Sequence, residues 1–433
     1  MERKNFVLSL MRKVHEYDSF NGIPECDSLV PYAGAKQALV KLLFLDLIST
    51  PKAIETKNSD DLLALWSLSH MIDHMEHDYN AEILKKALNV IVKENGIRQD
   101  LLDIDLFQDM TQNCWGILND ILVNFSSRKI LSANDYALCI ADMIACPQSS
   151  KDTANTYQYY TNESLQHLTA GILNVKSNET FMDCCCGMYS SALYNDAAEY
   201  IGVEQDKEMA GIAAMILIMC KKKFNIKLAN FVESKDENIA DKILADISYG
   251  VTLPKMDEQP YGKNGEAYCI ENVINALKDG GSATIVCSGS VLGKQDSSKK
   301  MREAITKDHL KAVIALPPMN NGAKSNTNLI VLQKNCHAKE IRFINASNLE
   351  IKNKNRLTLN EADITDIIGC LNGENTKYLF KDIPVEDILN SESISWTPNN
   401  YVKGENKDKG RSVEEIDKDL NESYKELKEL FLD

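Results

Sequence analysis

The sequence predicts an α/β protein: a body of alternating strands and helices, preceded by an all-helical N-terminal domain and followed by a C-terminal helix. Three observations carry this prediction. From about residue 165, short apolar runs alternate with helical stretches, the pattern of a mostly parallel sheet. Before about residue 150, apolar residues recur at three- and four-residue spacing. After about residue 385 the chain turns polar and then carries an apolar seam at helical spacing.

Taken in order, the segments Ala35–Leu47, Ser59–His77, Asn80–Ile91 and Asp109–Asn124 read as amphipathic helices. The runs TFMDCCC, YIGVEQD, ILADISYG, SATIVCSGSVL, KAVIALPP, TNLIVLQKN and EIRFINAS read as strands. Asn399-Asn400 and GENKDKG read as loop, and Val413, Ile416, Leu420, Leu427 and Leu430 line one side of a last helix. A chain of 433 residues is too long for one ordinary core. The expected division is 1–150, helical; 151–385, α/β; and 386–433, an extension with a docking helix.

Composition narrows the function. The net charge of −15 argues against coating nucleic acid by charge alone, while leaving room for a local basic groove or for DNA contact through a partner. No run of 18 apolar residues occurs, so no membrane span is expected. The twelve cysteines form no CxxC pair, and several sit in apolar segments, which fits reduced thiols and a cytoplasmic protein. His70, His74 and His77 share a helix face, but a solvated polar face explains them better than a metal, and no metal is expected.

The stretch FMDCCCGMYSSAL is where the chemistry concentrates. A strand ending at Asp183 would turn toward a helix, the place where α/β folds bind nucleotide-like cofactors. Glu204 ends the next strand about twenty residues later, where an acidic side chain can accept hydrogen bonds from ribose hydroxyls. A solvated strand-end carboxylate is an equally good reading on spacing alone.

Several motifs resemble, in one linear order, the methyltransferase subunits of type I restriction–modification systems. YQYYTNESLQHLTAGIL resembles the segment GQFYTPxxVxxLM, with Tyr160 and Thr161 among the matches. Asp183-Cys184-Cys185-Cys186-Gly187 resembles DPxCGSG, the family's S-adenosylmethionine loop, matching at Asp183, Cys186 and Gly187. Glu204 falls at the family's ribose ligand. ALKDGGSATIVCSGSVL, AVIALPPMNNGAKSNTNLIVLQKN, EIRFINASN and WTPNNYV match later motifs. The resemblance implies a Rossmann-like class I methyltransferase domain that acts on adenine N6 in DNA. It also implies a DNA-specificity subunit as partner, and often a second methyltransferase subunit.

Two motifs depart from the pattern. The family's catalytic (N/D)PP(F/Y) reads Asp246-Ile247-Ser248-Tyr249, which keeps Asp246 and Tyr249 and loses both prolines. In the cofactor loop, Cys184 replaces proline, Met188 a small hydroxyl residue and Tyr189 the second glycine. A large ring at Tyr189 is expected to crowd the cofactor, because glycine there permits close backbone approach. The sequence therefore predicts a methyltransferase-like subunit that binds S-adenosylmethionine weakly, is weak or inactive in catalysis, and serves DNA binding and assembly. The alternatives are an active N6-adenine DNA methyltransferase with a divergent site, and an RNA or small-molecule methyltransferase on the same fold.

Overall fold

The computed structural model describes residues 161–247, 260–294, 298–319, 326–347 and 358–403, positions 251 and 253, and short pieces within 89–142. Tyr160, Tyr249, His70, His74, His77, the segment 411–433 and nearly all of the predicted N-terminal helices lie outside the described residues.

The described body is built on nine strands: β1 (Thr180–Asp183), β2 (Glu199–Glu204), β3 (Phe224–Leu228), β4 (Ala240–Asp246), β5 (Leu277–Cys287), β6 (Leu310–Leu316), β7 (Thr327–Gln333), β8 (Glu340–Asn345) and β9 (Leu379–Pro384). They form one sheet in the order β3-β2-β1-β4-β5-β7-β6-β8-β9. β7 runs antiparallel between β5 and β6, and β9 antiparallel to β8; the remaining pairs are parallel. Strand order reverses at β1, which pairs β2 on one side and β4 on the other. In open α/β sheets, ligands bind beyond the carboxyl ends of the strands at such a reversal.

All seven predicted strands are present. The sequence reading did not anticipate β3 and β9, the two edges. Edge strands bury fewer side chains: Ile226 is the one buried residue of FNIKL and Ile383 the one buried residue of LFKDIP, so neither shows a strong apolar run.

Helices cover both faces. On one face lie α1 (Glu163–Leu173), α2 (Lys207–Met219) and a late helix, Glu361–Asn372; on the other lie α3 (Gly265–Ala276) and the helix Ser298–Asp308. The sequence KEMAGIAAMILIM of α2 is apolar almost all round, and ten of its thirteen residues are buried. Asp206 caps its start by accepting the Met209 N–H. The connection from β1 to β2 holds only a short 3₁₀ turn, Ser190–Leu193, where such a crossover usually carries an α-helix.

The motif WTPNNYV closes the body. Trp396 is fully buried and donates its indole N–H to the Thr306 hydroxyl at 2.7 Å. Tyr401 stacks on Phe343 at 4.2 Å between ring centroids. The buried guanidinium of Arg302 donates to the carbonyls of Val291, Lys294, Ser393 and Ile394, fastening this segment to the helix Ser298–Asp308. Ile388, Ile394, Trp396 and Val402 belong to the main core, so the α/β body runs past the expected boundary at residue 385 to Val402.

Candidate functional site

The register of the strands brings the site together. Asp183 is level with Gly202 on β2 and with Leu244 on β4. Glu204 and Asp246 each lie two residues further along their strands. Paired residues of parallel strands share a face, and side chains repeat every second residue. Asp183, Glu204 and Asp246 therefore project from the same face at the carboxyl ends of three adjacent strands.

Each carboxylate is held by donors. The Ser191 hydroxyl donates to Asp183 Oδ2 at 2.5 Å, and the Cys185 amide to Oδ1 at 3.3 Å. The amides of Gly187 and Asp206 donate to the two oxygens of Glu204, each at 2.8 Å. The Thr161 hydroxyl donates to Asp246 Oδ2 at 2.6 Å, so two segments 85 residues apart meet in one hydrogen bond. Burial pushes Asp183 up to about 7, and the nearby Asp246 and Glu204 charges add to the shift; the Ser191 and Cys185 bonds oppose it. Burial also raises Glu204 and Asp246, against their own hydrogen bonds.

The loop after β1 keeps a glycine-type backbone. Gly187 has φ 51° and Tyr189 φ 57°. Positive φ is costly for an aromatic residue and free for glycine, the residue at this position in the motif that the loop resembles. The Tyr189 side chain corrects the expectation from sequence. Its ring is fully buried on the α2 side of the sheet, 6.2 Å from the rings of Phe181 and of Tyr200. Its hydroxyl donates to the Ile201 carbonyl at 2.8 Å. The ring is thus part of the core beneath the loop. Gly202 makes the room: a Cβ there would stand 3.1 Å from Tyr189 Cε1 and 3.0 Å from Cys186 Sγ.

The three consecutive cysteines are packing residues. Cys184 joins the core on one face of the sheet and Cys186 the core on the other; Cys185 is half-buried. Burial pushes all three thiols well up, which keeps them protonated and poor nucleophiles. Among the described residues, no group of three or more His, Cys, Asp or Glu is arranged to hold a metal ion.

Just beyond β4, Ile247 is buried and its amide donates to the Val286 carbonyl at 3.2 Å. A proline has no N–H to make that bond. Here the β4–β5 ladder, rather than a fixed φ, sets the path out of β4. Sequence reasoning missed Ser191, which grips Asp183, and it missed β3, beyond which Asn230 caps a short turn by accepting the Val232 N–H at 3.0 Å. Ala229 beside it donates to the Glu204 carbonyl at 2.9 Å. The Ser-Ser pair after the loop was the available signal for Ser191.

A sheet of this order, with carboxylates gathered at its reversal point, is a doubly wound α/β fold. The N-6 DNA methylase family matches residues 147–409, more than half of the chain, and the protein belongs to that family. The chain is 28% identical over 160 residues to a type I restriction enzyme MpnII methylase subunit from Mycoplasma pneumoniae, an alignment spanning 36% of this chain and 28% of that relative. It shares its fold with the crystal structure of the type I restriction–modification methyltransferase subunit from Streptococcus thermophilus, with TM-score 0.68 and 17% identity, over 92% of this chain and 99% of that one. A modification subunit assigned to a type I restriction enzyme of Vibrio vulnificus gives TM-score 0.63 at 11% identity, over 92% of this chain and 97% of that one. No helix among the described residues is long and apolar enough to cross a membrane.

Proposed function

We propose that this chain is the modification subunit of a type I DNA restriction–modification complex, that it holds S-adenosylmethionine, and that its methyl transfer to adenine N6 is slow or absent. The observation that supports this reading most is the convergence of Asp183, Glu204 and Asp246 on one face at the strand-order reversal, with Thr161 bonded to Asp246. The residues fit the cofactor. The loop at Gly187 has the left-handed backbone that allows close approach, and the Tyr189 ring lies below it in the core.

In this reading Glu204 accepts from the ribose hydroxyls with lone pairs left over from its two backbone bonds. Thr161, Asp183, Gly187 and the backbone of Cys186 complete the cofactor site in this reading, and the family resemblance adds Tyr160. The cofactor supplies an electrophilic methyl group on a sulfonium. Asp246 accepts a hydrogen bond from the adenine amino group, which helps localise the nitrogen lone pair; Thr161 fixes the carboxylate that does so. Tyr249 stacks on the flipped base. The two substitutions Ile247 and Ser248 leave this loop without the paired prolines that fix its path, and misplacement by 1 Å can cost about 10²-fold in rate.

The partners follow from the family reading: DNA, a DNA-specificity subunit that chooses the sequence, and a second methyltransferase subunit. The domain plan proposed is a helical N-terminal domain over 1–150, the α/β domain from 151 to Val402, and a docking helix within 411–433.

The test is transfer of a labelled methyl group to DNA by the reconstituted complex. Activity well below that of a prolinated family member, and absent in Asp246→Ala with cofactor affinity within about threefold, is expected. Full activity in Asp246→Ala would show that the catalytic residue lies elsewhere.

A further inference from the structure

We propose that Tyr189, standing where the family has glycine, is a positioning residue: its ring anchors the cofactor loop to β2 and so fixes the Glu204 carboxylate at the ribose position. The inference rests on reading the site as an S-adenosylmethionine site.

The loop is fastened to four successive residues of β2. The Tyr189 hydroxyl donates to the Ile201 carbonyl at 2.8 Å. The Tyr189 ring and the Cys186 sulfur fill the space over Gly202. The Cys186 amide donates to the Val203 carbonyl at 3.0 Å, and the Gly187 amide to Glu204 Oε2 at 2.8 Å. The turn is closed by the Tyr189 amide, which donates to the Cys186 carbonyl at 2.6 Å. Only a well-packed side chain holds an aromatic residue at φ 57°. The packing here is a three-ring cluster with Phe181 and Tyr200, fully buried.

The consequence runs against intuition from the family motif. Tyr189→Gly restores the usual residue, yet it removes the ring that anchors the loop and leaves a cavity beneath it. With the loop loosened, the Gly187 amide no longer fixes Glu204 Oε2, and the ribose contact loses its orientation. Tyr189→Phe keeps the ring and loses the hydroxyl's contacts with the Ile201 and Phe181 carbonyls. Gly202→Ala attacks the same anchor from the strand side, because its Cβ would enter the contact shells of Cys186 Sγ and Tyr189 Cε1.

Two measurements on the full-length protein test this. The first is deuterium uptake by the peptide spanning residues 184–192 without ligand. Tyr189→Gly and Gly202→Ala should each speed its exchange, and Tyr189→Phe should leave it near wild type; Gly202→Ala should do less further harm in the Tyr189→Gly background than alone. Unchanged exchange in Tyr189→Gly would overturn the positioning role whatever the ligand does.

The second is binding of S-adenosylhomocysteine and of its analogue lacking both ribose hydroxyls, well below each variant's melting temperature. Losing an oriented hydrogen bond to a charged group costs about tenfold or more. Tyr189→Gly should therefore weaken the parent ligand about tenfold and the dideoxy analogue much less. Equal weakening of both ligands, or tighter binding of the parent, would overturn the link from Tyr189 to Glu204. Wild type binding neither ligand, with the exchange result intact, would instead refute the cofactor reading of the site.

Discussion

Asp183 is the residue whose replacement gives the sharpest reading of the site's electrostatics. Its carboxyl is 5% exposed and sits among Glu204 and Asp246, and its folded pKa is about 7 against an ordinary value of 3.8. A carboxyl raised in the folded state is protonated there while still ionised in the unfolded chain. The stability it contributes is full below the unfolded value and is lost as pH rises through about 7. A shift of some three units at roughly 1.4 kcal/mol each gives about 4 kcal/mol as the scale of the loss.

Asp183→Asn is close to isosteric. Its amide oxygen can accept the Cys185 N–H and its amide nitrogen can donate to the Ser191 hydroxyl, whose own proton then loses its carboxylate acceptor and offsets part of the gain. The variant should gain on wild type as pH rises from about 4 to about 7, and exceed it by about 1–4 kcal/mol at pH 8. Denaturant unfolding followed by Trp396 fluorescence, with Trp66 and Trp115 replaced by Phe, reports the α/β body. A variant that is less stable than wild type at pH 8, or whose advantage does not grow with pH, would refute the argument.

Other outcomes follow from the packing. Trp396→Ala should destabilise the α/β body by about 3–5 kcal/mol, because it empties a fully buried site and frees the Thr306 hydroxyl; denaturant midpoints check this. Deleting residues 411–433 should leave the body folded, since its strands and closing segment end by Val402, and should reduce co-purification with the specificity subunit. Undiminished assembly would remove the docking role, and failure to fold would assign the segment to the core.

Much of the fold was legible because interior strands bury both faces and so read as continuous apolar runs. TNLIVLQ and LKAVIAL are nearly all buried, and both were found as strands. FNIKL and LFKDIP at the edges alternate or expose most residues, and both were missed. At the site, Glu204 was singled out by its position at a strand end, whereas the roles expected of Asp183 and Asp246 came from the family resemblance. Which way Tyr189 points could not be read from the sequence. That depends on a positive φ and on space left by Gly202 on the neighbouring strand, and neither is visible in the loop's own sequence. The Ile247 amide bond to Val286 was hidden for the same reason: its acceptor lies on β5, which is distant in sequence.

In the proposed function the loop after β1, though unusual in sequence, holds S-adenosylmethionine. Titration calorimetry of the full-length protein with S-adenosylmethionine tests it most directly. One equivalent bound with a micromolar Kd, about −8 kcal/mol, and lost in Glu204→Ala, is predicted; no detectable binding by the folded wild-type protein would contradict it.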